Sequence, residues 1–349
     1  MADIARDPGL PRGLSAPGLP GPRRLPLTRR QRWIAAAVLA ALLVAVVFLV
    51  GLGAGWWQLT GQDKRFIATV LNGLTLGALY FLVASGFTLV FGLMRNVNLA
   101  HGSLYLAGAY IGWTAADATG SWFFGVAIGF LAMALAGLAL QLLVFRRMEG
   151  QDLRQTLVTI GLSIVLADLM LWQWGGQTYQ FIPPDWIDGT VRLPMVGMGY
   201  SEYRLILFLA AVVIGVGLWL FLNKTKVGTM IRAGVDDRDM LAASGVNVQL
   251  VFCVVFAVGA GLAGFAGVVG GTALSIAPGE DTRYLLASLI VVIVGGMGSV
   301  TGAAVGAVLI GLAEQLGLVY SPTYGVVYTF LIMVGVLVWR PQGLLGRGG

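Results

Sequence analysis

FIATVLNGLTLGALYFLVASGFTLVFG, from Phe66 to Gly92, runs 27 residues without a charged side chain. A helix of that length rises about 40 Å, and about 20 apolar residues suffice to cross a bilayer. Within hydrocarbon the backbone must satisfy its own hydrogen bonds, which a helix does and a loop does not. The pattern repeats on both sides of this stretch. Trp33 to Gly55 is a second uncharged run, and charged residues make up only 11% of the 349 positions, gathered in the gaps between apolar runs. The expected spans are 33–55, 66–91, 98–117, 121–145, 155–174, 204–222, 250–272, 284–297, 300–318 and 324–339. The fold class that follows is an all-α, polytopic transmembrane helical bundle of about 8–10 spans.

Residues 1–32 are rich in Pro, Gly and Arg and read as a disordered basic tail. The 33–55 run is longer than the apolar core of a signal peptide, and no clear small-x-small cleavage site follows it. It reads as a retained extra N-terminal helix, followed by a transmembrane domain over 56–349. Both termini are expected in the cytoplasm. With that orientation and ten crossings, every Lys and Arg lies inside except Lys64, Arg65, Arg192, Arg204 and Arg283. The net charge of +6 is therefore a topology signal at helix ends, not a nucleic-acid surface. Cys253 is the only cysteine, so no intrachain disulfide forms. Glycine is abundant, at 51 residues, and Gly259, Ala263, Gly267 and Gly271, like Gly302 and Gly306, recur every four residues. Small residues at that spacing mark close helix packing.

The run 284–318 would make a helix of roughly 50 Å, too long for one ordinary crossing. Gly295, Gly296, Gly298 and Ser299 sit at its middle and are expected to break it into a hairpin of two short spans, which keeps Arg340 and Arg347 on the inside.

Three groups of residues are candidates for function. The first lies in the polar loop 223–249, where Asp236, Asp237, Arg238, Asp239, Met240, Leu241, Ala242, Ala243, Ser244 and Gly245 form a short helix pattern. Asp236 is the expected N-cap, the acids suit the positive end of the helix dipole, and Gly245 suits a left-handed C-cap. Such an element is either a docking helix that receives force from a partner or an amphipathic turn on the membrane surface. The second is the segment Arg95 to Ser103. Asn96 or Asn98 can cap the helix that follows, while Asn98, His101 (the only histidine) and Ser103 could alternatively line a polar path. The third is Asp168, the carboxylate lying clearly within a span and past its midplane. Glu314 is nearer a span end, within reach of the interface. Gln173, Trp174, Tyr179 and Trp186, around the outer loop 175–203, read as an interfacial aromatic belt.

The chain carries no GxxxxGK[ST] loop, no metal-ligand cluster and no Ser/His/Asp set, so no nucleotide, metal or catalytic site of its own is expected. A self-sufficient secondary transporter or channel would call for paired intramembrane ionisable residues or repeated broken helices, against one Asp168 and one glycine break here.

Asn98-Leu99-Ala100-His101-Gly102 resembles the N-[FLM]-A-H-G signature of permeases in the branched-chain amino-acid ABC importer family. In the same order follow GTMIRAGVDDRDMLAASGVN at 228–247, AGLAGFAGVVGG at 260–271, GGMGSVTGA at 295–303 and RPQGLLG at 340–346. Together they cover roughly residues 66–346. The resemblance implies an ABC-importer permease fold and one half of a translocation path for branched-chain or other small amino acids. Alternatives within that family are urea, short amides and aromatic acids. It further implies a second homologous permease, usually as a heterodimer, two cytoplasmic ATPases that hold ATP-Mg, and a periplasmic substrate-binding protein at a bacterial inner membrane. By matching position, 236–245 resembles the coupling helix that docks on an ATPase. Two departures stand out. Ser103 occupies a place where many members of that family have Glu, and Asp168 one where they more often have an amide.

Overall fold

A computed structural model describes residues 61–94, 97–148, 150–193 and 198–346. The expected tail over 1–32 and helix over 33–55 lie outside the described residues.

Among the described residues the chain forms eleven α-helices. In order they are α1 (Gly61–Met94), α2 (His101–Thr119), α3 (Trp122–Leu143), α4 (Asp152–Trp174), α5 (Glu202–Lys224), α6 (Lys226–Asp236), α7 (Arg238–Ala243), α8 (Val248–Leu274), α9 (Glu280–Gly295), α10 (Val300–Tyr320) and α11 (Gly325–Trp339). A two-stranded antiparallel hairpin, β1 (Thr190–Leu193) with β2 (Met198–Ser201), interrupts the loop after α4.

Six helices, α1, α3, α4, α5, α8 and α10, are long and apolar enough to cross a membrane alone. The spans expected over 98–117, 284–297 and 324–339 appear as α2, α9 and α11, of 19, 16 and 15 residues. At 1.5 Å per residue α9 rises only about 24 Å, short of a 30 Å hydrocarbon core. These shorter helices take their places by packing on longer neighbours.

α1 and α8 form the enclosed centre, whereas α3, α4 and α5 leave most of their surface exposed. The most extensive helix contacts are α3 on α8 and α1 on α10, and both depend on missing side chains. A Cβ at Gly264 would collide with the carbonyl of Gly129, and one at Gly77 with that of Ala307. The four-residue repeat seen in the sequence serves this purpose. Gly259 lies on Gly86, Gly267 on the carbonyl of Tyr105, and Ala263 is fully buried.

The break in 284–318 occurs where glycine permits it. α9 ends at Gly296 (φ +109°), the chain turns through Gly298 (φ +76°), and Ser299 Oγ accepts from the Gly302 amide at 3.0 Å to cap α10. Gly302 abuts Gly295 and Gly306 abuts Val291, so α9 and α10 run antiparallel as a hairpin.

Candidate functional site

The polar loop between α5 and α8 holds two helices where one was expected. Thr225 closes α5 and opens α6, its hydroxyl donating to the Phe221 carbonyl at 2.7 Å and accepting from the Gly228 amide at 2.9 Å. α6 places Val227, Met230, Ile231 and Val235 at helical spacing along one stripe, the pattern that would have revealed it. Because α6 runs through Asp236, the N-cap of α7 is Asp237 rather than Asp236, with Oδ1 accepting from the Met240 amide at 2.9 Å. Gly245 has φ +83°, the left-handed geometry that ends α7. Asn247 then caps α8 through the Leu250 amide at 3.2 Å.

This pair of helices is seated, not pendent. Ile231 of α6 joins Leu89, Val90 and Leu93 of α1, Phe145, and Val251, Phe252, Val255 and Phe256 of α8 in one buried apolar cluster. Leu241 is buried beside Gly234, which also borders Leu93. On the other side Met240 is 71% exposed, and Asp237, Ala242, Ala243, Ser244 and Gly245 are exposed with it. α7 thus turns a small, partly apolar knob outward, while on its inner side Leu241 rests against Gly234 of α6, the helix that packs on α1 and α8. Packed side chains of α6 thus connect α7 to the two central helices.

The Asn98–Ser103 group lies inside the bundle. Asn98 Oδ1 accepts from the Ala100 amide at 3.1 Å, and Ala100, not Asn98, holds the N-cap position of α2, with no side-chain cap. Asn96 lies outside the described residues. The Leu99 amide donates to Thr159 Oγ1 on α4 at 3.1 Å. His101 is 1% exposed, its Nε2 3.0 Å from the Val83 carbonyl and its ring edge-on to Phe87. Within this chain His101 therefore joins α2 to α1. Ser103 Oγ lies 3.3 Å from Asp281 Oδ2 and 3.4 Å from the Ser163 carbonyl, tying α2 to α9 and α4.

Glu314 does not reach out to an interface. It is buried, accepts from the Tyr80 hydroxyl at 2.7 Å, and stands 3.6 Å from Arg283 Nη2, while Arg283 Nη1 pairs with Glu280 at 3.4 Å. No local sequence signal announces this set, because Tyr80 and Glu314 are 234 residues apart. Asp168, in contrast, is exposed on α4. Of the expected aromatic belt, Trp174 stacks on Tyr110 and donates to Thr114 Oγ1 at 2.9 Å, and Tyr179 packs on Trp113. Trp186 is 65% exposed and stacks on Phe123. These rings join α2 to α4 and to the loop after it, and Trp186 joins that loop to α3.

The glycine break is closed by the C-terminal segment. The Leu344 and Leu345 amides donate to the Val294 and Gly295 carbonyls at 2.8 and 2.9 Å, satisfying the last acceptors of α9. Gly343, with φ +78°, lies directly against Gly296. The RPQGLLG string therefore acts as a clasp on the hairpin.

Comparison with known proteins places this arrangement. The family described as "Branched-chain amino acid transport system / permease component" matches residues 69–337. The chain is 28% identical to the high-affinity branched-chain amino acid transport system permease protein BraD of Pseudomonas aeruginosa, over 81% of this chain and 96% of that protein. It is equally similar, at 28%, to the permease protein LivH of Escherichia coli K12, over 82% and 97%. LivM of the same organism, a permease protein of the same named system, is 25% identical over 86% and 74%. No solved structure matches.

Proposed function

Since this chain belongs to the family of permease components of branched-chain amino acid transport systems, we propose that it works as one of two related permease subunits of an ATP-driven importer of branched-chain amino acids. It is a multi-pass membrane protein. The partner permease, two ATPases that bind ATP-Mg, and a periplasmic substrate-binding protein complete the machine. The membrane is the bacterial inner membrane, with α7 and the C-terminus on the cytoplasmic side.

The observation that carries this reading is the seating of α7. An importer whose energy comes from outside the permease needs a surface that takes up an ATPase's movement and hands it to the helices around the path. Residues 236–245 form that surface. Met240, Ala242 and Ala243 face outward, while Leu241 rests against Gly234 of α6, whose Ile231 packs with Leu93, Phe252 and Phe256. When the ATPases close on ATP, the displaced α7 would drive α1 and α8 together. The interior is close-packed, so it transmits such a push without absorbing it. Selectivity resides mainly in the binding protein, and the permease site holds its cargo weakly.

The test is uptake of radiolabelled leucine into vesicles containing the co-expressed subunits, paired with affinity capture of this chain in mild detergent. Capture of two ATPases and a second permease, with uptake abolished by ATP depletion, supports the proposal. A homo-oligomer whose leucine uptake survives ATP depletion overturns it. The relatives' shared naming favours branched-chain amino acids over urea or short amides as cargo, and competition with urea in the same assay separates the two.

A further inference from the structure

Several faces of the bundle are apolar and uncovered, but one is marked. α5 exposes Leu205, Leu209, Val212, Val213, Val216 and Leu220 without a polar interruption, as a lipid-facing helix does. α4 is the least apolar of the six long spans and, with α5, the least enclosed. Its outer stripe runs Leu157, Gly161, Ile164, Asp168, Trp172.

Asp168 makes no hydrogen bond or ion pair with any described residue, whereas Glu314 has Tyr80 and Arg283, and Asp281 has Ser103. It stands about one and two-thirds turns before Trp174, about 9 Å along the axis. With Trp174 at the membrane interface, as the sequence reading expects, an aspartate side chain is too short to reach the headgroup level. A carboxylate facing hydrocarbon is costly, and intramembrane acids face protein or water. Gly161, with open space where a Cβ would stand, leaves room for a second backbone to approach closely.

We propose that this face of α4 is the docking surface for the second permease subunit, and that the subunit brings a positively charged, hydrogen-bond-donating side chain to Asp168. The proposal rests on the paired-permease reading above. The chain's own 33–55 run cannot supply the group, since it contains no charged, hydroxyl or amide side chain.

Photo-crosslinking in native membranes tests it, with benzoylphenylalanine at Leu157 or Ile164 of the full chain co-expressed with its transporter subunits. Leu209 and Val213 on α5 serve as comparison sites. The expected result is a light-dependent adduct with the second permease from both α4 positions and from neither α5 position. Asp168→Asn should lower that adduct at least threefold and Asp168→Lys at least tenfold, with Asp168→Glu close to the native yield. Adducts to lipid alone, to peptides from 33–55, or equally from α4 and α5 would overturn the surface assignment. An adduct indifferent to all three Asp168 variants would overturn the charge pairing. If the second permease co-purifies but α4 never captures it, the paired reading stands and this surface falls. If no second permease co-purifies, both fall.

Discussion

The Tyr80 hydroxyl donates to Glu314 Oε2 at 2.7 Å, joining the middle of α1 to α10 across 234 residues of chain. Both groups are buried, and Glu314 is further held by Arg283 at 3.6 Å. Tyr80→Phe removes one donor to a charged acceptor, an interaction worth about 1.5–3 kcal/mol. The variant should melt at lower temperature in detergent. Adding Glu314→Gln should cost less than the two single changes summed, because the pair acts as a unit.

Close backbone approach between α3 and α8 yields the next prediction. In Gly264→Ala the new methyl meets the Gly129 carbonyl and the Met133 side chain, so the helices must part. Overpacking of this kind costs about 1–3 kcal/mol or more. Gly217→Ala on α5, where nothing lies within 4 Å, should leave the melting temperature unchanged or slightly raised. A thermal-shift comparison of the two variants decides the matter.

His101 should behave as a strut. Its ring fills the space between Val83 and Phe87 and is almost wholly enclosed. His101→Ala opens a cavity, with an expected loss of about 2–5 kcal/mol. Less complex should assemble, but leucine uptake per assembled complex should remain within twofold of native. A fall in uptake at unchanged assembly and melting temperature would return His101 to the path.

The C-terminal clasp predicts a contrast at one position. Leu344→Pro deletes the amide that caps the Val294 carbonyl, leaving a helix-end acceptor unpaired at about 1–3 kcal/mol. Leu344→Met keeps that amide. Limited proteolysis should cut the proline variant near the break at Gly296–Ser299 and spare the methionine variant.

Much of this architecture is legible in the chain because the membrane enforces long, uncharged runs. Phe66–Gly92 announces α1, and the glycines at 295–298 announce the break, since little else breaks an apolar helix so cheaply. Other features lack a local signature. Asp236, Asp237 and Asp239 are equivalent caps in isolation, and only the continuation of α6 through Asp236 makes Asp237 the cap of α7. α6, by contrast, carries a local signal in the helical spacing of Val227, Met230, Ile231 and Val235, although it is only 11 residues long. Glu314 looks like an interfacial acid until its distant partners, Tyr80 and Arg283, are in place. Nor does the sequence around Ser103 announce its carboxylate neighbour, because Asp281 is supplied from 178 residues away, on α9.

The central claim is that α7 is the point where an ATPase grips this subunit. Its most direct test is co-purification of the ATPases with Met240→Arg combined with Ala242→Arg, two exposed positions that avoid the strained φ of Gly245. The account predicts that the double variant inserts, melts within a few degrees of the native protein and keeps its partner permease. It should lose at least nine-tenths of the ATPase and of ATP-dependent leucine uptake. Native recovery of the ATPase with that variant would contradict the account.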